Sequence, residues 1–190
     1  VDVYITGSNA YLLSSELATF LSGRYVTIDM LPFSFAEYCE SINDDSKSKK
    51  EMFNNYLRYG SFPYVAYLGD DENVIYPYID GIYNTILIKD VAKRMNITDI
   101  SLLESIIRFL ASSIGSPVST KKISDTINSS GRRVSVNTVD NYLKVLTDSY
   151  IFYKAGRFDI KGRQHLKTLG KYYIVDTGIR NVLLTGGSSD

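Results

Sequence analysis

The chain of 190 residues has one cysteine, one histidine and no tryptophan. Cys39 alone cannot close an internal disulfide, and with His165 it cannot supply the four ligands of a structural zinc site. No run approaches eighteen uninterrupted apolar residues, so no helical membrane span is expected, and no charged leader with an apolar stretch behind it is visible. A cytoplasmic location without a membrane partner is the resulting expectation. Also missing is any G-x-x-x-x-G-K-S/T sequence, the loop whose backbone cradles nucleotide phosphates, and no apolar strand ends in paired acids that could hold Mg²⁺. The chain by itself is therefore expected to bind no cofactor and no metal and to hydrolyse no ATP. Asp44-Asp45 and Asp70-Asp71 are paired carboxylates in polar stretches without a basic partner, which argues against a hydrolytic dyad. The chain begins at Val1, as a piece of a longer protein would.

What is present is unevenly charged. Residues 1–100 carry eight Lys/Arg against fourteen Asp/Glu, and residues 101–176 carry twelve against six, so a formal net charge of zero conceals −6 followed by +6. That asymmetry points to an anionic partner for the second half. The plain alternative is a chance distribution over solvated faces.

The apolar pattern divides the chain further. Val3–Thr6 is strand-like and ends at Gly7, Leu12, Leu13, Leu17, Phe20 and Leu21 recur at helical spacing, and Tyr25–Leu31 is strand-like again until Pro32. A strand, a helix and a strand in that order imply a parallel crossover unit, which needs neighbours on both faces. Helices are expected over 35–42, 52–59 and 72–95, the last so rich in tyrosine and aliphatic residues all round that it reads as a buried central helix. From Ser101 onward, Leu102, Leu103, Ile106, Ile107 and Leu110 form one stripe, with Gly115 suited to follow the helix end. Ser119 or Thr120 caps a second helix carrying Ile123 and Ile127, and a third places Val136, Val139, Tyr142, Leu143 and Leu146 inward. The basic loop "IKGRQHLK" then separates two strand-like runs, "YIFYKAGRFD" and "KYYIVD". Three short helices followed by two strands and a basic loop predict a winged helix-turn-helix. "DTGIR" reads as the start of a helix rather than as a site.

The motifs "ITGSNAYLL", "LSGRY", "LPFSFAEYCE", "YGSFPYV", "YNTILIKDVAKR" and "KYYIVDTGIRN" together resemble a widespread prokaryotic family of AAA+-like ATPases with a largely uncharacterised C-terminal region. The resemblance implies that the phosphate-binding loop and Walker B strand precede this stretch in the parent protein and that a nuclease-like domain often follows. It implies ATP and Mg²⁺ as ligands of the parent. It also makes Ser8, or alternatively Asn9, the sensor that contacts the attacking water or γ-phosphate, and Arg24 an arginine finger reaching a neighbouring subunit. The plain alternatives are a helix cap for Ser8 or Asn9 and a surface arginine for Arg24.

The expected architecture is α+β and mainly helical. Residues 1–33 form the last part of an AAA+ core, 34–100 a helical middle region, 101–176 the winged helix, and 177–190 a tail or linker. The leading functional reading is a module that binds double-stranded DNA. Ser135, Asn137, Thr138, Asn141 and Lys144 lie on the outward face of the third helix, Lys121, Lys122, Arg132 and Arg133 surround its start, and Lys161, Arg163, His165 and Lys167 lie in the wing. Asn and Thr can reach base edges, while Lys and Arg mainly meet phosphate. The second reading is a winged helix used for protein contact or regulation without nucleic acid, which the sixteen tyrosines also suit. A complete enzyme within this chain is the third. Two strands without neighbours further imply self-association through residues 1–31, or covering of those strands by the chain's own helices.

Overall fold

The computed structural model describes residues 3–4, 24–26, 28–42, 46–94, 96–156 and 169–185. Within them the protein is mainly helical with one small sheet, in keeping with an α+β chain.

Short capped helices build the first part. The pair Ser34 and Glu37 forms a reciprocal box before α1 (Phe35–Ile42), with Ser34 N–H donating to Glu37 Oε2 at 2.8 Å and Glu37 N–H donating to Ser34 Oγ at 3.3 Å. Ser48 and Glu51 repeat the device before α2 (Lys49–Tyr59). Both satisfy backbone donors that a helix start leaves open. The Ser34 bonds also hold the exposed Glu37 carboxyl below its ordinary range, the backbone donor contributing most. Helix α2 stops at Gly60, and Pro63 opens the single turn α3 (Pro63–Tyr67).

Asp71 caps α4 (Glu72–Ile82), which runs on through a π-helical stretch, Tyr83–Asp90, into α5 (Val91–Arg94). The expectation of a helix buried all round is corrected here. Ile75, Ile79 and Tyr83 are buried along one stripe, whereas Val74, Asn84 and Thr85 are exposed. The outer side is polar, with Asn84 Nδ2 donating to Asp80 Oδ2 at 2.8 Å.

Helix α6 (Ile100–Ser112), capped by Asp99, buries all five residues of its predicted stripe. It ends earlier than Gly115, whose N–H instead donates to Tyr172 O. Strand β1 (Pro117–Val118) leads to α7 (Thr120–Ser129), capped by Ser119, and then to α8 (Val136–Asp148), capped by Ser135. Val139, Leu143 and Leu146 are buried as the spacing requires, and Tyr142 is half-buried. Val136 is not inward: it lies in the first turn, ahead of the core, and is exposed, while Val145 is buried. Strands β2 (Phe152–Ala155) and β3 (Gly170–Ile174) complete an antiparallel sheet of order β1-β3-β2, with Phe152 opposite Ile174, Ala155 opposite Lys171, and Pro117 opposite Lys171 on the other edge.

Residues 177–185 differ from the expected tail. They form α9 (Thr177–Thr185), whose Ile179, Val182 and Leu183 are buried against α2, α4 and α6. Helical spacing of those three residues gives an apolar stripe, and burying it stabilises the helix. A single hydrophobic core accordingly extends from Tyr59 to Leu183, across the boundary expected near residue 100.

The expected parallel crossover unit lies mostly outside the described residues. Its second strand, expected over 25–31, is not formed at the described residues 25–26 and 28–31, which adopt no regular secondary structure. Val26, Ile28 and Met30 are exposed there. Tyr150, in the left-handed region at φ 57°, donates its hydroxyl to Asp29 at 3.1 Å.

Candidate functional site

Helix α8 turns one polar strip outward. Asn137, Asp140, Asn141 and Lys144 follow at helical i, i+3, i+4 and i+7 spacing and are all exposed. Thr138 contributes less than the sequence suggests, since its hydroxyl shares a 2.8 Å hydrogen bond with Ser135 Oγ and its N–H is held by the same cap. Lys121 and Lys122 are exposed in the first turn of α7, and Arg133 is exposed in the turn before α8. Arg132 is engaged elsewhere: its guanidinium sits 3.4 Å from Asp99, the cap of α6. Asp140 places a carboxylate in the middle of the strip, 3.4 Å from Thr120 Oγ1 at the start of α7. Lys161, Arg163, His165 and Lys167 lie outside the described residues, as do Ser8 and Asn9. Two further lysines, Lys154 and Lys171, are exposed on the strands that lead into and out of residues 157–168. Their position in the chain, flanking the basic loop, was the available signal for them.

A second constellation is buried. Asp176 is 2% exposed, and all its partners donate to it. Oδ2 accepts the N–H and the hydroxyl of Ser61, the latter at 2.9 Å, and Oδ1 accepts Ile179 N–H at 3.0 Å. Burial raises the Asp176 carboxyl above its ordinary range, against the pull of these donors, which favour the charged form. The backbone closes tightly around it. A Cβ on Gly60 would stand 2.3 Å from Asp176 Oδ1, and one on Gly178 would stand 2.3 Å from Tyr59 O. The side chains after Asp176 cap neighbouring helices: Thr177 Oγ1 donates to Tyr56 O, Asn181 Nδ2 to Leu57 O and Arg58 O, and Arg180 Nε to Ala111 O. Arg108 of α6 returns a bond to Leu183 O at 2.8 Å. "YGSFP" and "DTGIRN" are thus two halves of one junction.

Arg24 is exposed and nothing described approaches it as a partner would. Among the described residues no cluster of His, Cys, Asp or Glu could hold a metal ion, and no helix is long and apolar enough to cross a membrane.

Comparison with known proteins adds family but no activity. An uncharacterized protein of Haemophilus influenzae is 44% identical over 181 residues, covering 94% of this chain and 45% of that protein. An uncharacterized protein of Methanocaldococcus jannaschii is 30% identical over 190 residues, covering 92% of this chain and 41% of that protein. The chain therefore spans less than half the length of the curated relatives it matches. No solved structure matches it. Residues 1–39 match the family described as an AAA domain, a segment that contains the resemblance read at Ser8 and Arg24. Residues 50–190, which include both halves of the Asp176 junction and the whole of α6 to α9, match a second family, and the chain belongs to it: a domain of unknown function (DUF8612).

Proposed function

We propose that the parent protein is an AAA-like ATPase of the cytoplasm, and that residues 100–174 are a winged helix-turn-helix module through which it contacts double-stranded DNA. The observation that carries this reading is the order α6, β1, α7, α8, β2, β3 with β3 central in the sheet, which leaves the polar strip of α8 outward beside the turn from α7. In a winged helix that third helix enters the major groove and the hairpin loop meets the backbone. Asn137 and Asn141 are the base-facing candidates, and Lys121, Lys122, Arg133, Lys144, Lys154 and Lys171 the phosphate-facing ones. Lys161, Arg163 and Lys167 extend the set into the loop. The match of residues 1–39 to an AAA domain supports the ATPase part, in which Ser8 or Asn9 and Arg24 act on ATP and Mg²⁺ bound by the rest of the parent.

Fluorescence anisotropy of a labelled duplex across a salt series tests the DNA part. Binding whose affinity falls steeply with salt is the expected result, and no binding at low salt rejects it.

A second reading is favoured by Asp140, which puts a negative charge where a phosphate or base edge would approach, and by the Arg132–Asp99 pair, which withdraws one cation from the surface. On that reading the module binds a protein partner. The exposed Val26, Ile28 and Met30 also support association of the 1–31 segment with a second chain, which sedimentation at several concentrations would reveal.

A further inference from the structure

We infer that the Ser61–Asp176 junction is a rigid coupling element that links the segment ending at Phe33 to helix α6, the first helix of the 100–174 module. Each step is a hydrogen bond between named groups. Phe33 is held on both sides of its own peptide units: its N–H donates to Ser61 O at 2.9 Å, and its carbonyl accepts Tyr56 Oη–H at 2.9 Å. Ser61 passes that hold inward, because its N–H and hydroxyl both end on Asp176 Oδ2. Asp176 Oδ1 caps α9 through Ile179 N–H, and one turn later Arg180 Nε donates to Ala111 O at the end of α6 at 3.1 Å. Arg108 closes the circuit from α6 back to the end of α9.

The links have little slack. Gly60 and Gly178 pass so close to Asp176 Oδ1 and Tyr59 O that not even a methyl group fits, and well-packed interiors transmit displacement rather than absorb it. Sliding Phe33 and Ser61 together relative to α9 would break both Ser61 bonds to Asp176 and leave the buried carboxyl with Ile179 N–H alone, a costly event. The segment and α6 therefore move as one body, or the junction opens as a unit. This rests on the ATPase and DNA reading only for its purpose, which would be to carry the state of the nucleotide-binding part to the module.

Amide exchange in the full-length parent tests the coupling. Arg180→Met removes the bond to Ala111 and leaves Phe33, Ser61 and Asp176 untouched. Exchange at the Phe33 amide should rise about fivefold, the equivalent of one net hydrogen bond, while the Ile123 amide in α7 serves as the control that does not change. Arg180→Lys, which keeps the charge but loses the planar fork, should give an intermediate rise and replaces the first variant should that one fail to fold. Unchanged Phe33 exchange in both variants, with faster exchange around the end of α6, would reduce Arg180 to a local cap and overturn the inference. A rise at Ile123 equal to that at Phe33 would mean global destabilisation and overturn it as well. A parent that binds no DNA and hydrolyses no ATP, yet shows the Phe33 response, refutes the functional reading and leaves the coupling in place.

Discussion

Replacing Gly60 by alanine should destabilise the protein far more than its size suggests, for two separable reasons. Gly60 has φ 87° and ψ −167°, a region that only glycine occupies without strain, so any side chain there costs about 1–3 kcal/mol. The added Cβ would also stand 2.3 Å from Asp176 Oδ1, which must move. Displacing that carboxylate costs about two of its three bonds to Ser61 and Ile179, at about 1 kcal/mol each. The sum is about 3–5 kcal/mol. For a chain of this size each kcal/mol lowers the midpoint by about 2–4 °C, so thermal unfolding followed by circular dichroism should show a fall of about 6–20 °C. Gly69 is the internal control. It is also left-handed, at φ 68°, but a Cβ there meets nothing within 4 Å, so Gly69→Ala should carry only the backbone cost of about 1–2 kcal/mol. Equal losses at the two positions would show that clearance at Asp176 plays no part, and the close packing argued for the junction would be refuted.

The same carboxylate gives a pH signature. Asp176 holds its proton more tightly folded than unfolded, so the stability it contributes is fully present below the ordinary carboxylate range and lost as pH rises through the raised folded value. The stability margin of the wild type over Asp176→Asn should shrink as pH rises above about 4, measured by urea unfolding; a margin that grows with rising pH contradicts the sign. In the parent, Arg24→Ala should lower ATP turnover by about 10³-fold or more if the residue acts as a finger, and unchanged steady-state hydrolysis returns it to the surface. For DNA, changing Lys161, Arg163 and Lys167 together to alanine should flatten the slope of log K against log salt by up to about three units. Asn137→Ala with Asn141→Ala should leave that slope nearly constant and alter sequence preference, and a duplex panel read by anisotropy distinguishes the two behaviours.

The parts legible in sequence were those whose signal is local. The stripes of α6 and α7, and a cap at Ser119 or Thr120, follow from spacing and side-chain chemistry within a few residues, and the structure chooses Ser119; Ser135, read as an outward-facing base contact, is instead the cap of α8 and precedes the helix. The junction was not legible as a unit. Ser61 and Asp176 lie 115 residues apart, and Asp-Thr-Gly by itself reads as an ordinary helix start. The start of α9 was legible in "DTGIR", but residues 177–190 still read as a tail, because nine residues give barely two turns of periodicity and most of the helix's stabilisation comes from tertiary packing. Charge counting met a different limit. It registers Arg108, Arg132 and Arg180 as surface cations, whereas each is bonded to a carbonyl or to Asp99.

Three helices direct their carboxyl ends towards the same neighbourhood, with Leu57 and Arg58 ending α2, Ala111 ending α6 and Leu183 ending α9. Each end carries partial negative charge from its open carbonyls. Arg108 and Arg180 serve there as counterions to the backbone itself. Of these two, only Arg108 belongs to the formal +6 of residues 101–176, and its guanidinium answers a helix end as well as solvent. If the module takes a polyanion as proposed, the capture rate should follow the exposed lysines rather than the total of basic residues.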